Sequence, residues 1–112
     1  MDLDTTTHGQ TLLITVRNAR IDSASALAFK DGMRAATQQG PERVLLDLGG
    51  VDFIDSSGLG AVVACMKQLD PGQRLDLVAL TPTVAKVFQL TRMNTLFAIH
   101  PDLETALTAN AA

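Results

Sequence analysis

Two adjacent hydroxyls set among carboxylates and glycines are the groups in this chain best placed to do chemistry. They are Ser56 and Ser57, in Val51-Asp52-Phe53-Ile54-Asp55-Ser56-Ser57-Gly58-Leu59-Gly60. A serine hydroxyl can attack a carbonyl, accept a phosphoryl group, or cap a helix. Attack needs a base, and the histidines are His8 and His100, neither of them adjacent in sequence to the serines. No Gly-x-Ser-x-Gly elbow is present, so no conventional triad assembles and a small serine hydrolase is the least favoured reading. Two separated histidines and the single Cys65 show no metal-ligand spacing, and no Gly-x-x-x-x-Gly-Lys-Ser/Thr phosphate loop occurs. No catalytic residue, metal or cofactor is therefore assigned.

The elements around the serines explain why their hydroxyls matter. Val44 to Leu48 is an apolar run that reads as a buried strand, while Leu59, Val62, Val63, Met66 and Leu69 recur at helical spacing. The serines thus stand where a helix begins, beside unpaired N–H donors and the positive end of the helix dipole. A hydroxyl there can cap the helix, and a phosphate can be held there. Gly58 and Gly60 carry no side chains to shield the turn, which leaves room for another protein's backbone or active site. Asp55 and Asp52 place carboxylates alongside. Gly60, Ala61, Ala64 and Cys65 make the helix face turned from its core stripe smooth and shallow, suited either to docking a partner or to close packing against a neighbouring helix of the same domain.

Composition narrows the class. The 112 residues make one domain, 1–112, long enough for a single core. Apolar residues are 46% and charged residues 19%, with no low-complexity tract, as in a soluble globular protein. A net charge of −3 with scattered basic residues gives no stripe for nucleic acid. No apolar run nears the roughly 20 residues that cross a bilayer, and Met1-Asp2-Leu3-Asp4 is unlike a signal peptide. One cysteine agrees with a reducing compartment, so a cytoplasmic location is expected.

In chain order, Leu12, Ile14 and Val16 alternate with Leu13, Thr15 and Arg17 as a strand, and Leu3 to Thr7 is expected to pair with it across a turn at His8-Gly9-Gln10. Ile21 to Ser25 is a polar turn, with Asp22 a turn or cap residue. A helix is expected from about Ser23 to Gln39, with Ala26, Phe29, Met33 and Ala36 at helical spacing and Gly40-Pro41 as its stop. After the central strand and the serine helix, Asp70-Pro71-Gly72 breaks the chain, and Leu75 to Leu80 is the next strand. Thr81-Pro82 opens a helix with Val84, Val87 and Phe88 inward. Leu96 to Ile99 reads as a short last strand, and Pro101 opens a final helix with Leu103, Ala106 and Leu107 inward. The alternation predicts an α/β layer on a mixed central sheet, with an N-terminal antiparallel hairpin and about four helices.

Asp55-Ser56-Ser57-Gly58-Leu59-Gly60, after a strand ending Leu45-Leu46-Asp47-Leu48, resembles the signature of STAS domains, in particular the small single-domain anti-sigma factor antagonists of bacteria. The resemblance covers nearly the whole chain. It implies a STAS-like single domain, and it implies that Ser56, the first serine after the aspartate, is phosphorylated, with Ser57 the second choice. It also brings in Asp22, since in that family an aspartate in this loop lies near the modified serine. The partner-binding set is then Asp22, Asp55, Ser57, Gly58, Leu59, Gly60, Ala61 and Ala64.

The implied cycle is partner switching. The bare protein binds an anti-sigma factor that is also a serine kinase of the histidine-kinase ATPase type, freeing its client; phosphate on Ser56 releases the pair, and a serine phosphatase resets it. Physically, a helix start favours phosphate by roughly 0.3 to 2 kcal/mol. Repulsion from Asp55 or Asp22 at about 5 Å is on the order of 3 kcal/mol per unit charge, so repulsion is expected to prevail. Alternatives are a STAS subunit that docks without phosphorylation in a lipid-transport or stress-sensing complex, and the hydrolase set aside above.

Overall fold

A computed structural model describes residues 1–109. The chain opens with the expected hairpin, β1 (Leu3–His8) against β2 (Thr11–Val16), antiparallel in a register that sets Leu3 opposite Val16 and His8 opposite Thr11. Gly9 closes the turn at φ +61°, a left-handed conformation that glycine adopts without a Cβ penalty. The remaining elements are β3 (Arg20–Ile21), α1 (Ala26–Thr37), β4 (Arg43–Asp47), β5 (Phe53–Ile54), α2 (Ser56–Lys67), β6 (Arg74–Val78), α3 (Pro82–Leu90), a 3-10 turn (Met93–Leu96), β7 (Ile99–His100) and α4 (Leu103–Thr108).

Two sheets result. The larger has the order β1-β2-β4-β6-β7, parallel throughout except for β1. The smaller is the parallel pair β3-β5, with Arg20 opposite Phe53 and Ile21 opposite Ile54. Side chains alternate across the large sheet, as the pleat requires. Leu12, Ile14, Val16, Val44, Leu46, Leu75 and Leu77 pack with Phe29 and Met33 of α1, Leu59 and Val62 of α2, and Val84 and Phe88 of α3. Leu13, Leu45 and Val78 face the opposite way and are covered by Ala106 and Leu103 of α4. Full burial contributes about 1.5 to 3 kcal/mol for each large apolar side chain, so Phe29 and Met33 alone hold α1 firmly on its face.

Several element boundaries differ from the sequence reading, for local reasons. Helix α1 is shorter than Ser23–Gln39 because residues 22–25 form a turn in which Asp22 O accepts from Ser25 N and Ala26 N. It stops before Gly40, with Gln39 already at φ +57°. The strand expected over Leu96 to Ile99 is displaced to Ile99–His100. Arg92 is left-handed at φ +62°, and Phe97 turns inward to meet Phe88 edge-on at 6.1 Å, which keeps Leu96 in the 3-10 turn. In α4, Ala106 is buried but Leu107 is 37% exposed, since six residues present only one narrow face to the sheet. Asp102, not Pro101, caps that helix, accepting from Thr105 N at 2.7 Å.

Candidate functional site

The small sheet assembles the site. Arg20-Ile21-Asp22-Ser23 and Phe53-Ile54-Asp55-Ser56 run side by side in parallel register, with both isoleucines buried in the core. The two aspartates therefore leave the sheet next to one another, each leading into a helix. Asp52 N and Phe53 N both donate to Ala19 O, at 2.9 and 3.2 Å, and Asp55 N donates to Ile21 O at 3.4 Å. Thr81 Oγ1 donates to Val51 O at 2.8 Å while accepting from Val84 N, so the cap of α3 also fixes the approach to β5.

Asp55 is the N-cap of α2. Its Oδ1 accepts from Gly58 N at 2.8 Å and its Oδ2 from Ser23 N at 3.2 Å. The capping role that a serine hydroxyl could have taken is thereby filled. Ser56 and Ser57 are exposed, and their hydroxyls make no hydrogen bond among the described residues. Both hydroxyls are thus accessible and free of other duties, which leaves either chemically able to accept a transferred group.

Asp22 is held by its own turn. Oδ1 accepts from Ala24 N at 3.1 Å and from Ser25 Oγ at 3.3 Å, and Oδ2 takes Arg20 Nε at 3.3 Å. The Arg20 guanidinium, more than any other neighbour, holds the Asp22 carboxyl below the usual carboxylate range; desolvation opposes this, and the Ser25 and Ala24 bonds add to it. Arg20 also lies over the Phe53 ring, 4.0 Å from its centroid. Arg20, Phe53 and Ser23 were not singled out in the sequence. The signal that could have found them is the doubled Ile-Asp-Ser, at residues 21–23 and 54–56.

The expected docking set divides in two. Ser57 and Gly60 are exposed, and Asp22, Asp55 and Ala64 are half-buried. Gly58, Leu59 and Ala61 are instead buried, Leu59 at 7% and Ala61 at 3% exposure. Helix α2 packs against α1 as well as against the sheet, which takes Ala61 and Cys65 out of the face they were assigned. Gly58 serves a close approach within the chain and not one from outside: a Cβ there would stand 2.0 Å from Ile21 O and 2.7 Å from Ile21 C. At Gly60 a Cβ would meet nothing within 4 Å.

The histidines lie elsewhere. His8 ends β1 opposite Thr11, at the start of β2, and His100 Nε2 lies 3.1 Å from Asp76 Oδ2. Asp76, 1% exposed, also meets Arg43 Nη2 at 3.3 Å and Arg74 Nε at 3.4 Å. This charged cluster stitches β4, β6 and β7 together on the α4 side of the sheet. No group of three or more His, Cys, Asp or Glu suited to a metal is found among the described residues, and none of their helices is long and apolar enough to cross a membrane.

Comparison with known proteins gives one consistent result. The model of the STAS domain family matches residues 2–106. BtrV of Bordetella bronchiseptica, which carries the provisional name of anti-sigma factor antagonist, is 34% identical over 99 residues, spanning 88% of this chain and 85% of BtrV. Among solved structures, a STAS domain protein from Planctomyces limnophilus superposes with TM-score 0.88 at 25% identity, covering 100% of both chains. An anti-sigma factor antagonist from Mycobacterium paratuberculosis gives TM-score 0.86 at 27% identity, covering 96% of this chain and 92% of its own.

Proposed function

The chain belongs to the STAS domain family, and from that premise we propose that it is an anti-sigma factor antagonist that works by phosphorylation-controlled partner switching, without catalysis of its own. The observation that carries this reading is the state of Ser56: an exposed hydroxyl at the first position of α2, left free because Asp55 supplies the cap.

The unmodified protein docks through the ground around that hydroxyl. Ser56, Ser57 and Gly60 on the first turns of α2, Ala64 one turn on, and Asp22 and Asp55 at the ends of the short strands make up the contact. The partner is an anti-sigma factor that doubles as a serine kinase of the histidine-kinase ATPase type. Phosphate adds nearly two negative charges and three acceptor oxygens at the centre of that contact. With Asp55 committed to Ser23 N and Gly58 N, and Asp22 to Ala24 N and Ser25 Oγ, the domain keeps its fold while the surface changes in charge and bulk. A partner fitted to the bare hydroxyl then loses its fit, and a serine phosphatase restores it.

The test is incubation with the cognate kinase and ATP, followed by mass-spectrometric mapping. Phosphate on Ser56 is expected, and its absence from both Ser56 and Ser57 would refute the switch. Undiminished kinase binding by Ser56→Asp would contradict release by charge.

A further inference from the structure

The small sheet has an outward face as well as a buried one, and its make-up is specific. Ile21 and Ile54 go inward, so by the alternation of a strand Arg20, Asp22, Phe53 and Asp55 share the outward side. Arg20 opposes Phe53 across the pair, sets its Cζ over that ring 4.0 Å from the centroid, and sends Nε to Asp22, two residues further along the chain. The guanidinium is thus aimed along the sheet toward the end from which Asp55 and Ser56 emerge. Only Nε is engaged by Asp22, so the fork of terminal N–H donors remains to be used.

The charges near Ser56 make this cation unusual. Asp22 and Asp55 are carboxylates at that end of the sheet, whereas Asp52 precedes β5 at the other. Lys30 and Asp31 lie on the second turn of α1, Lys86 lies on α3, and Lys67 is at the far end of α2. Arg20 is the cation carried by the two short strands themselves.

Resting on the reading of Ser56 as the switch residue, we propose that Arg20 is the counter-ion of the phosphorylated state: a positioning residue, parked on Phe53 and Asp22 in the bare protein, that turns its free donors to the Ser56 phosphate when it forms. A planar guanidinium suits a phosphate through paired N–H···O bonds. Leaving Asp22 is inexpensive because Ala24 N and Ser25 Oγ continue to hold that carboxylate. Modification therefore exchanges one ion pair for another on the docking face. The exchange removes Arg20 from the partner's reach at the same moment as it introduces the phosphate.

The experiment uses the full chain with phosphoserine placed synthetically at position 56, so that it needs no kinase. Phosphorus NMR follows the second ionisation, which in an ordinary phosphoserine lies at about pH 6. A guanidinium in contact is expected to lower it by about half a pK unit relative to Arg20→Gln, a threefold change in proton affinity. Arg20→Lys, which keeps the charge without the fork, is expected to fall between the two. Wild type and Arg20→Gln titrating together would overturn the proposal. Should Arg20→Gln fail to fold, the Arg20 Nε–Hε resonance of the wild-type chain decides: it is expected to shift on phosphorylation, and an unmoved resonance overturns the assignment. The switch reading fails by a separate route, through a kinase that leaves Ser56 unmodified, so the two failures are told apart.

Discussion

Ser23 N donates to Asp55 Oδ2 at 3.2 Å, joining the loop before α1 to the cap of α2 across a separation of 32 residues. Since Oδ1 of the same carboxylate holds Gly58 N at 2.8 Å, one side chain both starts α2 and pins the neighbouring loop against it.

Removing that carboxylate should cost both functions. Loss of a cap alone costs about 1 kcal/mol, and Asp55→Ala also strips the Ser23 amide of its acceptor, for a total of roughly 1 to 2 kcal/mol. Asp55→Asn keeps one oxygen and is expected to recover the Gly58 bond but not the Ser23 bond. Urea denaturation gives the stability, and amide hydrogen exchange at Ser23 and Gly58 separates the two bonds. Equal protection at both amides in wild type and Asp55→Ala would contradict the double role.

Two glycines two residues apart in α2, on different sides of the helix, should respond in opposite directions. A Cβ at Gly58 would sit 2.0 Å from the Ile21 carbonyl oxygen, a backbone atom of the small sheet that cannot swing aside. Gly58→Ala is therefore expected to destabilise by about 3 kcal/mol, the upper range for overpacking, or to prevent folding. Gly60 has open space and a helical backbone, so Gly60→Ala should stabilise by about 0.5 to 1 kcal/mol through helix propensity. Thermal melts of the pair suffice as the measurement. A tolerated Gly58→Ala would mean that β3 and α2 are not packed as described.

How the sequence and the structure relate can be traced through these same residues. The large helices were legible because Phe29 and Met33, or Val84 and Phe88, stand four residues apart on a single buried stripe. The hairpin was legible because Leu12, Ile14 and Val16 recur at every second residue after the turn residues His8-Gly9-Gln10. Two-residue strands carry no period, so β3 and β5 left no trace beyond the repeated Ile-Asp-Ser, and the company of Arg20, Phe53 and Ser23 went unseen. The position of Ser56 at a helix start could be read from spacing. Which side chain capped that helix could not, because Asp55 and the serines are all good caps by residue type. Ala61 was misplaced for a related reason: a helix wedged between a sheet and a second helix buries more than one stripe, and small residues mark close packing as readily as an open face.

Asp76 gives a prediction at the opposite side of the molecule. It is 1% exposed and meets Arg43, itself nearly buried, together with His100 and the half-exposed Arg74. Asp76→Ala would strand the Arg43 guanidinium, whose Nε already lacks a partner, and is expected to cost about 3 to 5 kcal/mol. Arg74→Ala removes only a solvent-screened partner and should cost less than about 1 kcal/mol. Denaturant midpoints compare the two variants directly. The cluster lies on the α4 side of the sheet, so neither change should alter phosphoryl acceptance at Ser56 in protein that remains folded, and a loss of acceptance in Arg74→Ala would show that the two sides are coupled.

Cys65 supplies the pH dependence. It is 2% exposed in the core beneath α2, and burial pushes its thiol up from 9.0 to about 12, with Lys30 pulling weakly the other way. The raised value means that the folded protein keeps a proton the unfolded chain gives up. The thiol's contribution is therefore whole below about pH 9 and lost as pH rises from there toward about 12, at up to about 1.4 kcal/mol per pH unit. Cys65→Ala should show a shallower alkaline decline in urea stability than wild type, a comparison that cancels the titration of the lysines common to both. The same burial makes the thiol slow to react: at neutral pH a maleimide should label it only as fast as the domain opens, with the rate rising in step with urea. Rapid labelling of the native protein would place Cys65 on an accessible face, and with it the small-residue side of α2 that the packing against α1 has been taken to close.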